Sequence, residues 1–360
     1  MRIGIDISQI VYQTGVSRYT AKLVEHLLSI DKKNQYLLYA GSLRQRKILK
    51  SFVASLPRPV KLVLSPLSPK LADVAFNRLN LPLKQLRGEV DVFHASNWAL
   101  PNLNCPIVTT IHDLTFLKYP EDHLPSLVSA HKRHLAKAKR KAAAVIAVSQ
   151  STKTDLVSLG FNARNIKVIY EAADSLFKPV ENKSVLSKYQ LTKSYILSVG
   201  TLEPRKNIAR LIEAFTALKE KSLELAIVGK FGWGEKTKPV PGIKLLGFVP
   251  DEDLAGLYSA AKAFVYPSLY VGFGLPVVEA LSCGCPVVVS LNSSLPEVAG
   301  KAAIYVDPKS VLSIAKGVKQ AFNQAGSLRR AGLVQAKKFS WEKTAKATLK
   351  VYQEVYDNRH

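Results

Sequence analysis

Short apolar runs that alternate with longer amphipathic segments constrain this 360-residue chain more than any other feature. The amphipathic segments include residues 16–29, 207–221 and 251–261. Near-continuous apolar strands that alternate with helices are typical of parallel sheets covered on both faces. The predicted strands are residues 2–7, 35–40, 61–65, 90–95, 107–111, 143–148, 166–170, 195–199, 223–228, 243–248, 263–266, 286–290 and 302–306.

This pattern predicts an α/β protein with two doubly wound, Rossmann-like domains. We place the N-terminal domain at residues 1–175, the second domain at 176–340 and a final helical segment at 341–360. In doubly wound sheets, ligands bind beyond the carboxyl ends of the strands, where the strand order reverses. Two such sheets that face each other across a cleft would place both sets of strand ends around one site.

The net charge of +24 predicts attraction to an anionic partner, such as a phosphorylated substrate, anionic lipid or nucleic acid. The densest basic stretch, residues 131–141, is either a solvated helix face or a surface that docks on a membrane holding anionic lipids and lipid-linked acceptors. No helix-turn-helix, zinc pattern or aromatic-basic interleaving is present in the sequence, so we do not expect nucleic-acid binding.

The number of cysteines and the length of the apolar runs indicate the cellular compartment of the protein. An odd number of cysteines (Cys105, Cys283 and Cys285) argues against a disulfide framework and fits a reducing compartment. No apolar run approaches the roughly 20 residues of a membrane helix. We therefore predict a cytoplasmic protein, either free or peripheral at the inner face of the membrane.

Two cations follow the first strand of the second domain. The strand ends near Val199, Gly200 permits a tight turn, and a helix begins near Asn207. Arg205 and Lys206 therefore lie where the N-terminus of a helix already favours anions. The alternative is a pair of solvated charges at a loop tip; in this context we favour a pyrophosphate site.

A glycine-bearing loop and a helix follow the strand at residues 263–266. Gly272 and Gly274 allow the backbone to approach a ligand closely, and the amides of Gly274 and Leu275 could hold a phosphate or a sugar hydroxyl. Glu279 lies in the first or second turn of that helix. It either accepts hydrogen bonds from the two hydroxyls of a ribose or complements the helix dipole.

The N-terminal domain offers two candidate residues. Gly15 opens the helix that follows the first strand, although a plain helix start explains it equally well. His112 follows an apolar strand, where it could bond a sugar hydroxyl or a leaving phosphate; a lone histidine is more often structural.

Asp251 and Asp253, in the second domain, have the Asp-x-Asp spacing of metal-dependent transferases. They begin a helix, however, and their charge suits its dipole, so we expect no metal.

These clusters, in this order, resemble the retaining glycosyltransferases of family 4, which have the GT-B fold. The most specific parts are residues 200–207 (Gly-Thr-Leu-Glu-Pro-Arg-Lys-Asn), 247–254, 266–280 and 294–300 (Ser-Leu-Pro-Glu-Val-Ala-Gly). The sequences of the first and last of these segments are most similar to those of mannosyltransferases of surface-polysaccharide assembly. The resemblance spans nearly the whole chain.

The resemblance implies a role for each matching position. Arg205 and Lys206 would neutralise the donor diphosphate as it leaves, and Glu279 would bind the ribose. His112 would contact the donor sugar, and the loop at Gly15 would close over it. The backbone at Phe273, Gly274 and Leu275 would hold the diphosphate and the sugar, and the backbone near Phe248 and Val249 would meet the base.

The family also implies what accompanies these residues. The first domain would lie on the acceptor side, the second would bind the donor, and the final helix would cross back to the first. No metal and no cofactor would be required, since cations and helix N-termini carry the charge.

Val271 departs from the family pattern. The family usually has two glutamates eight positions apart; here Glu279 is the second, and Val271 occupies the place of the first. That glutamate commonly contacts the donor sugar or supports the transition state, and a valine does neither. A weakened or inactive enzyme, an altered sugar pocket and an introduced substitution all remain open.

The sequence therefore predicts a retaining, metal-independent transfer of a hexose from a nucleoside diphosphate sugar to a glycan or lipid-linked acceptor. We favour GDP-mannose over a UDP-sugar as the donor. One alternative is a catalytically silent sugar-nucleotide-binding protein, and another is a sugar-nucleotide epimerase of the GT-B fold. A third is a membrane or nucleic-acid binder that uses the basic charge alone.

Overall fold

The chain forms two compact units. A computed structural model describes residues 1–12, 14–42, 44–86, 88–96, 98–181, 184–229 and 241–359. The first unit consists of Met1–Glu171 together with Trp341–His360, and the second unit consists of Ala172–Ser340. The chain thus passes between the units twice, after residue 171 and after residue 340.

The first unit contains a parallel sheet of seven strands within the described residues, in the order β3-β2-β1-β4-β5-β6-β7. Ile3 of β1 is the register partner of Tyr36 on one side and of Val92 on the other. The strands are β1 (Arg2–Asp6), β2 (Gln35–Gly41), β3 (Lys61–Ser65), β4 (Val92–Ala95), β5 (Ile107–Ile111), β6 (Ala144–Ala147) and β7 (Ile166–Val168).

The second unit contains a parallel sheet of six strands in the described part of the chain, in the order β10-β9-β8-β11-β12-β13. The strands are β8 (Ser194–Val199), β9 (Leu223–Val228), β10 (Ile243–Gly247), β11 (Ala263–Tyr266), β12 (Val287–Ser290) and β13 (Ala303–Val306). The register between β9 and β10 shifts between Leu245 and Gly247.

Helices connect the strands of both units, and a π-helix (Asp73–Arg78) continues the third of them. Several begin at a side-chain cap: the hydroxyl of Thr14 accepts the amide of Ser17 at the start of α1, and Ser149 caps α6 in the same way. The helices are α1 (Gly15–Ile30), α2 (Arg46–Ala54), α3 (Pro69–Ala72), α4 (Thr115–Lys118), α5 (Pro125–Lys141), α6 (Gln150–Ser158), α7 (Ser184–Lys188), α8 (Ile208–Ala217), α9 (Asp251–Ala260), α10 (Leu275–Ser282), α11 (Leu295–Ala299), α12 (Val311–Asn323), α13 (Ala325–Ala336) and α14 (Trp341–Asp357).

The prediction of two doubly wound parallel sheets is confirmed. Each predicted apolar run forms a strand, and strands that are buried on both faces need near-continuous apolar sequence. Central strands such as β9 and β12 are buried at every position. None of the described helices is long and apolar enough to cross a membrane.

Each sheet has one point at which the direction of winding reverses. In the first unit this point lies between β1 and β4, and in the second it lies between β8 and β11. At the carboxyl ends of β8 and β9 the backbone turns pass very close to each other: a Cβ added to Gly229 would lie 1.9 Å from the carbonyl oxygen of Gly200. Gly229 has a φ of +149°, which side-chain-bearing residues rarely adopt.

We predict that Gly229→Ala lowers the free energy of unfolding by about 2–4 kcal/mol, because the new methyl group meets backbone that cannot rotate away. Urea denaturation at equilibrium measures the change. Gly326→Ala in α13 is the matched control, since the nearest atom to its added Cβ is the flexible end of Arg330 at 3.8 Å. The control should be neutral or stabilising, as alanine is favoured over glycine within a helix. Equal stabilities for the two variants would contradict this account of the turn.

Candidate functional site

The loop after β8 carries the two predicted cations to the switch point of the second unit. Gly200 leaves the strand, and Pro204–Lys206 form a 3-10 turn. The carbonyl of Arg205 accepts the backbone amide of Leu269, 2.8 Å away, in the loop after β11. The loops that follow the two strands on either side of the switch point are therefore bonded directly to each other.

Asn207 ties this arrangement together, and its role was missed in the sequence. Its side-chain amide donates to the carbonyls of Pro267 at 2.9 Å and Pro308 at 2.7 Å, so it bridges the loops after β11 and β13. Its side-chain oxygen accepts a hydrogen bond from Arg210 at 2.7 Å. Its backbone is left-handed, with φ of 61° and ψ of 32°, a conformation that asparagine adopts more readily than most residues. The asparagine just before the predicted helix is the one signal that the sequence offered.

Both predicted cations are partly buried and held by neighbours. Arg205 Nε lies 2.9 Å from the carboxylate of Glu203, and its Nη1 lies 3.5 Å from the carbonyl of Tyr270. Lys206 Nζ donates to the hydroxyl of Tyr266, at the end of β11. Because these side chains are already ordered, they would lose little rotamer entropy on meeting an anion.

The N-terminus of α10 lies in the same switch region. Gly274 caps it with φ of 107° and ψ of 49°, and accepts the amide of Val277 at 2.9 Å. The first amides of a helix have no partner within it, and the helix dipole adds partial positive charge there. Gly274 and Leu275 therefore form a candidate anion-binding end, on the loop whose earlier residues contact Arg205.

The loop before α10 is held by the segment that follows β12. Asn292 Nδ2 donates to the carbonyl of Leu269 at 3.0 Å, and the amide of Val271 donates to Ser293 Oγ at 3.1 Å. Ser294 Oγ donates to the carbonyls of Val271 and Phe273 at 3.1 and 2.7 Å. Val271 and Phe273 are both buried. Two serine side chains therefore hold the backbone at the altered position, and the valine side chain is buried beside it.

Glu279 lies on α10 and is only 2% exposed. The hydroxyl of Tyr258, on α9, donates to its Oε2 at 3.1 Å. Tyr258 is a second residue that sequence reasoning missed, since its partner lies on another helix. Phe248, just after β10, is 65% exposed, and the adjacent Val249 is buried.

The Asp251 and Asp253 pair lies at the start of α9, as expected from the sequence. Asp253 accepts hydrogen bonds from Lys188 Nζ at 2.5 Å and from the hydroxyl of Tyr189 at 2.8 Å. These two partners hold the pKa of the Asp253 carboxyl below its usual value. Across the described ranges, no group of three His, Cys, Asp or Glu side chains could hold a metal ion.

The first unit holds the remaining two predicted residues. Gly15 is the first residue of α1, and a Cβ added to it would meet no atom within 4 Å. His112 follows β5; its Nδ1 lies 3.0 Å from Oε1 of Glu171, and its ring contacts Tyr19 edge-on with centroids 4.7 Å apart. Glu171 is the third residue that the sequence did not reveal, because it lies 59 positions away along the chain.

A buried polar network lies beneath His112. His94 Nδ1 lies 2.6 Å from the hydroxyl of Tyr352, and His94 Nε2 lies 2.9 Å from Thr110 Oγ1. Thr110 in turn bonds the hydroxyl of Tyr19 at 3.1 Å. Burial lowers the pKa of His94 to about 3 and raises the pKa of both tyrosines. The network is therefore uncharged near neutral pH, and it ties α14 to the centre of the sheet.

The predicted site residues thus fall into two groups. The second unit brings together Arg205, Lys206, Val271, Phe273, Gly274, Leu275 and Glu279 around its switch point. The first unit holds Gly15 and His112. The group in the second unit combines two cations with the N-terminus of a helix, and the group in the first unit contains an imidazole bonded to a carboxylate.

Comparisons with known proteins agree with this architecture. The family model described as Glycosyltransferase Family 4 matches residues 13–175, and the model described as Glycosyl transferases group 1 matches residues 181–339. The chain is 35% identical to a protein of Escherichia coli named O-antigen chain mannosyltransferase B, over 94% of this chain and 96% of that protein.

Two solved structures show the same fold at low sequence identity. Sucrose-phosphate synthase from Thermosynechococcus elongatus has a TM-score of 0.75 and 18% identity, with 99% of this chain and 100% of that one covered. Anabaena Alr3699/HepE, solved in complex with UDP and glucose, has a TM-score of 0.71 and 16% identity, with 98% and 100% covered. This chain therefore belongs to glycosyltransferase family 4, has the GT-B fold, and is a glycosyltransferase similar to mannosyltransferases of polysaccharide assembly.

Proposed function

We propose that this glycosyltransferase moves mannose from GDP-mannose to a glycan or lipid-linked acceptor, with retention of the anomeric configuration and without a metal ion or other cofactor. The observation that carries the proposal is the joining of the Arg205–Lys206 turn to the loop that leads into α10. Two ordered cations and a helix N-terminus then supply positive charge around one switch point. The name of the E. coli relative favours mannose, and the UDP complex of Alr3699/HepE supports a nucleotide donor.

In this mechanism the donor diphosphate lies against Arg205, Lys206 and the amides at Gly274 and Leu275. As the bond from the anomeric carbon to the diphosphate oxygen breaks, negative charge grows on that oxygen, and the fixed cations stabilise it. The acceptor hydroxyl attacks the same face of the sugar and forms the new glycosidic bond. Its proton passes to the leaving phosphate oxygen, so no protein nucleophile is needed.

The remaining residues of the proposed site bind and orient the donor. Glu279 is held by its hydrogen bond from Tyr258. Its buried carboxylate accepts hydrogen bonds from the ribose hydroxyls once the neighbouring side chains move aside. The exposed ring of Phe248 offers a surface against which the base can lie. His112 contacts the donor sugar, and the loop at Gly15 closes over it. We assign acceptor binding to the first unit and donor binding to the second.

The donor site is tested by nucleotide binding. We predict that GDP raises the melting temperature without added metal, and that Lys206→Met weakens GDP binding by about 10- to 100-fold, because one charge-assisted contact to the diphosphate is lost. Isothermal titration calorimetry in the presence of EDTA gives the affinity. Lys219→Met, at an exposed position just after α8, is the matched control and should bind as the parent chain does.

No shift in melting temperature with millimolar GDP or UDP would overturn the donor site and favour a binder that uses basic charge alone. A larger rise in melting temperature with UDP than with GDP would indicate that the donor is a UDP-sugar and not GDP-mannose. Nucleotide binding without turnover would indicate the silent binding protein. Conversion of the donor sugar without any acceptor would indicate the epimerase.

Val271 generates a separate prediction for catalysis. We expect Val271→Glu to raise turnover about tenfold, because a carboxylate beside the anomeric carbon stabilises the positive charge that develops there. The serine contacts to the Val271 backbone do not involve its side chain, so the loop can keep its shape. Val271→Gln, equal in size and uncharged, is the control, and initial rates of GDP release measure the effect. If both variants lower turnover alike, the pocket is adapted to valine and the weakened-enzyme hypothesis is wrong.

We further propose that the first unit docks on an anionic membrane through a basic, leucine-bearing surface. The π-helix packs along α5, where Arg133 pairs with Asp73 and Lys137 donates to the carbonyl of Phe76. The π-helix, α5 and the segments next to them expose both apolar and basic side chains, a combination that suits anionic headgroups. The apolar members are Leu71, Val74, Leu79, Leu81, Leu124 and Leu127, and the basic members are Lys70, Arg78, Lys84, Lys132, Arg140 and Lys141.

Vesicle sedimentation tests this surface. We predict that the protein binds vesicles containing phosphatidylglycerol and not vesicles of phosphatidylcholine, and that Lys132→Glu/Arg140→Glu reduces binding at least tenfold, since each cation near an anionic surface contributes about 1 kcal/mol. Lys316→Glu/Lys319→Glu, exposed on α12, changes the net charge equally and should bind normally. Equal losses for both variants would show that net charge, and not this surface, drives binding.

A further inference from the structure

Glu171 occupies an unusual position for a buried carboxylate. It is 5% exposed and is the last residue of the first unit before the chain passes into the second. Its Oε1 lies 3.0 Å from Nδ1 of His112, a residue on a different strand connection. An acid buried at the edge of a folding unit, with its oxygen on the imidazole of a candidate site residue, calls for a functional explanation.

We propose that Glu171 is the positioning residue that fixes the ring and tautomer of His112 for contact with the donor sugar. This inference rests on the proposed function, in which His112 meets that sugar. Because a carboxylate only accepts, Nδ1 must carry the proton in the contact. In the neutral ring, Nε2 is then left as the acceptor, which suits a sugar hydroxyl that donates.

Two contacts at different angles determine the orientation of the ring. The Glu171 bond fixes the direction of the Nδ1 side, and the edge-on packing of Tyr19, with an interplanar angle of 83°, opposes rotation of the ring. Tyr19 is itself held by its hydrogen bond to Thr110 in β5. A side chain locked by both packing and hydrogen bonding holds the geometry that catalysis needs.

Both passages of the chain between the units adjoin these contacts. Glu171 stands at one passage, and Trp341, the first residue of the other, has its ring 5.9 Å from that of Tyr19. Thr344 Oγ1 donates to the carbonyl of Tyr170 at 2.7 Å, which bonds the two passages to each other. Glu171 therefore links the end of the first unit directly to His112, through a single hydrogen bond.

A double-mutant cycle with His112→Ala tests the proposal. Glu171→Ala should lower kcat about 10- to 100-fold with little change in KM for the donor, the range expected when orientation is lost. Glu171→Gln should lose less, because its amide oxygen still accepts from Nδ1. The His112→Ala/Glu171→Ala double variant should be no slower than His112→Ala alone, since Glu171 acts only through the imidazole.

Two controls separate positioning from folding. Glu224→Gln removes the charge of another 5%-exposed carboxylate, one that accepts the amides of Thr192 and Lys193 in the second unit, and should keep full activity. Nitrogen chemical shifts of His112, measured by NMR on the full chain without substrate, report the tautomer directly. The Nδ1–H form should dominate in the parent chain and give way to a mixture in Glu171→Ala.

The outcomes distinguish this inference from the proposed function. If His112→Ala is as active as the parent chain, the proposed role of His112 falls, and this inference falls with it. If His112→Ala is slow but Glu171→Ala is not, or if the two losses multiply, the proposed function stands and the positioning role is overturned. An unchanged tautomer in Glu171→Ala overturns it independently of any activity.

Discussion

The side-chain amide of Asn207 is the interaction on which the rest of the second unit's site depends. A buried amide must find partners, and this one finds them in the carbonyls of Pro267 and Pro308, at the ends of two other strands. The covalent neighbour Lys206 is thereby placed beside β11, and the loop that leads to Gly274 begins at a fixed point. Asn207 thus helps to hold Arg205 and Lys206 near the loop that leads to the N-terminus of α10, without any ligand.

The two units have doubly wound parallel sheets of the same kind, but they differ in where their charged and uncharged polar groups lie. In the second unit, charged groups remain near the surface of the switch point, where they can meet an anion. In the first, burial keeps His94 neutral and leaves a chain of hydroxyl and imidazole groups that holds α14 against β4 and β5. Hydrogen bonds in such a buried network are electrostatically stronger than in water, and a network whose groups are all paired gives rigidity.

The candidate site residues could be named from the sequence because most of them follow strands directly. An apolar run that ends in glycine and cations, as at Gly200, Arg205 and Lys206, is visible in one dimension. The supporting residues were not visible in this way. Glu171 and Tyr258 contact residues 59 and 21 positions away, and a single carboxylate or phenol leaves no periodic signal.

The sequence by itself determined the secondary structure, the number of sheets and the family, since each depends on local periodicity or on contiguous motifs. Only the tertiary structure decided which strands are neighbours and therefore where each sheet reverses direction. It also decided that serine side chains hold the backbone at Val271, and that the charge of Asp253 is matched by Lys188. These contacts arise when distant segments pack, because burial forces each polar group to find a partner wherever the fold brings one within reach.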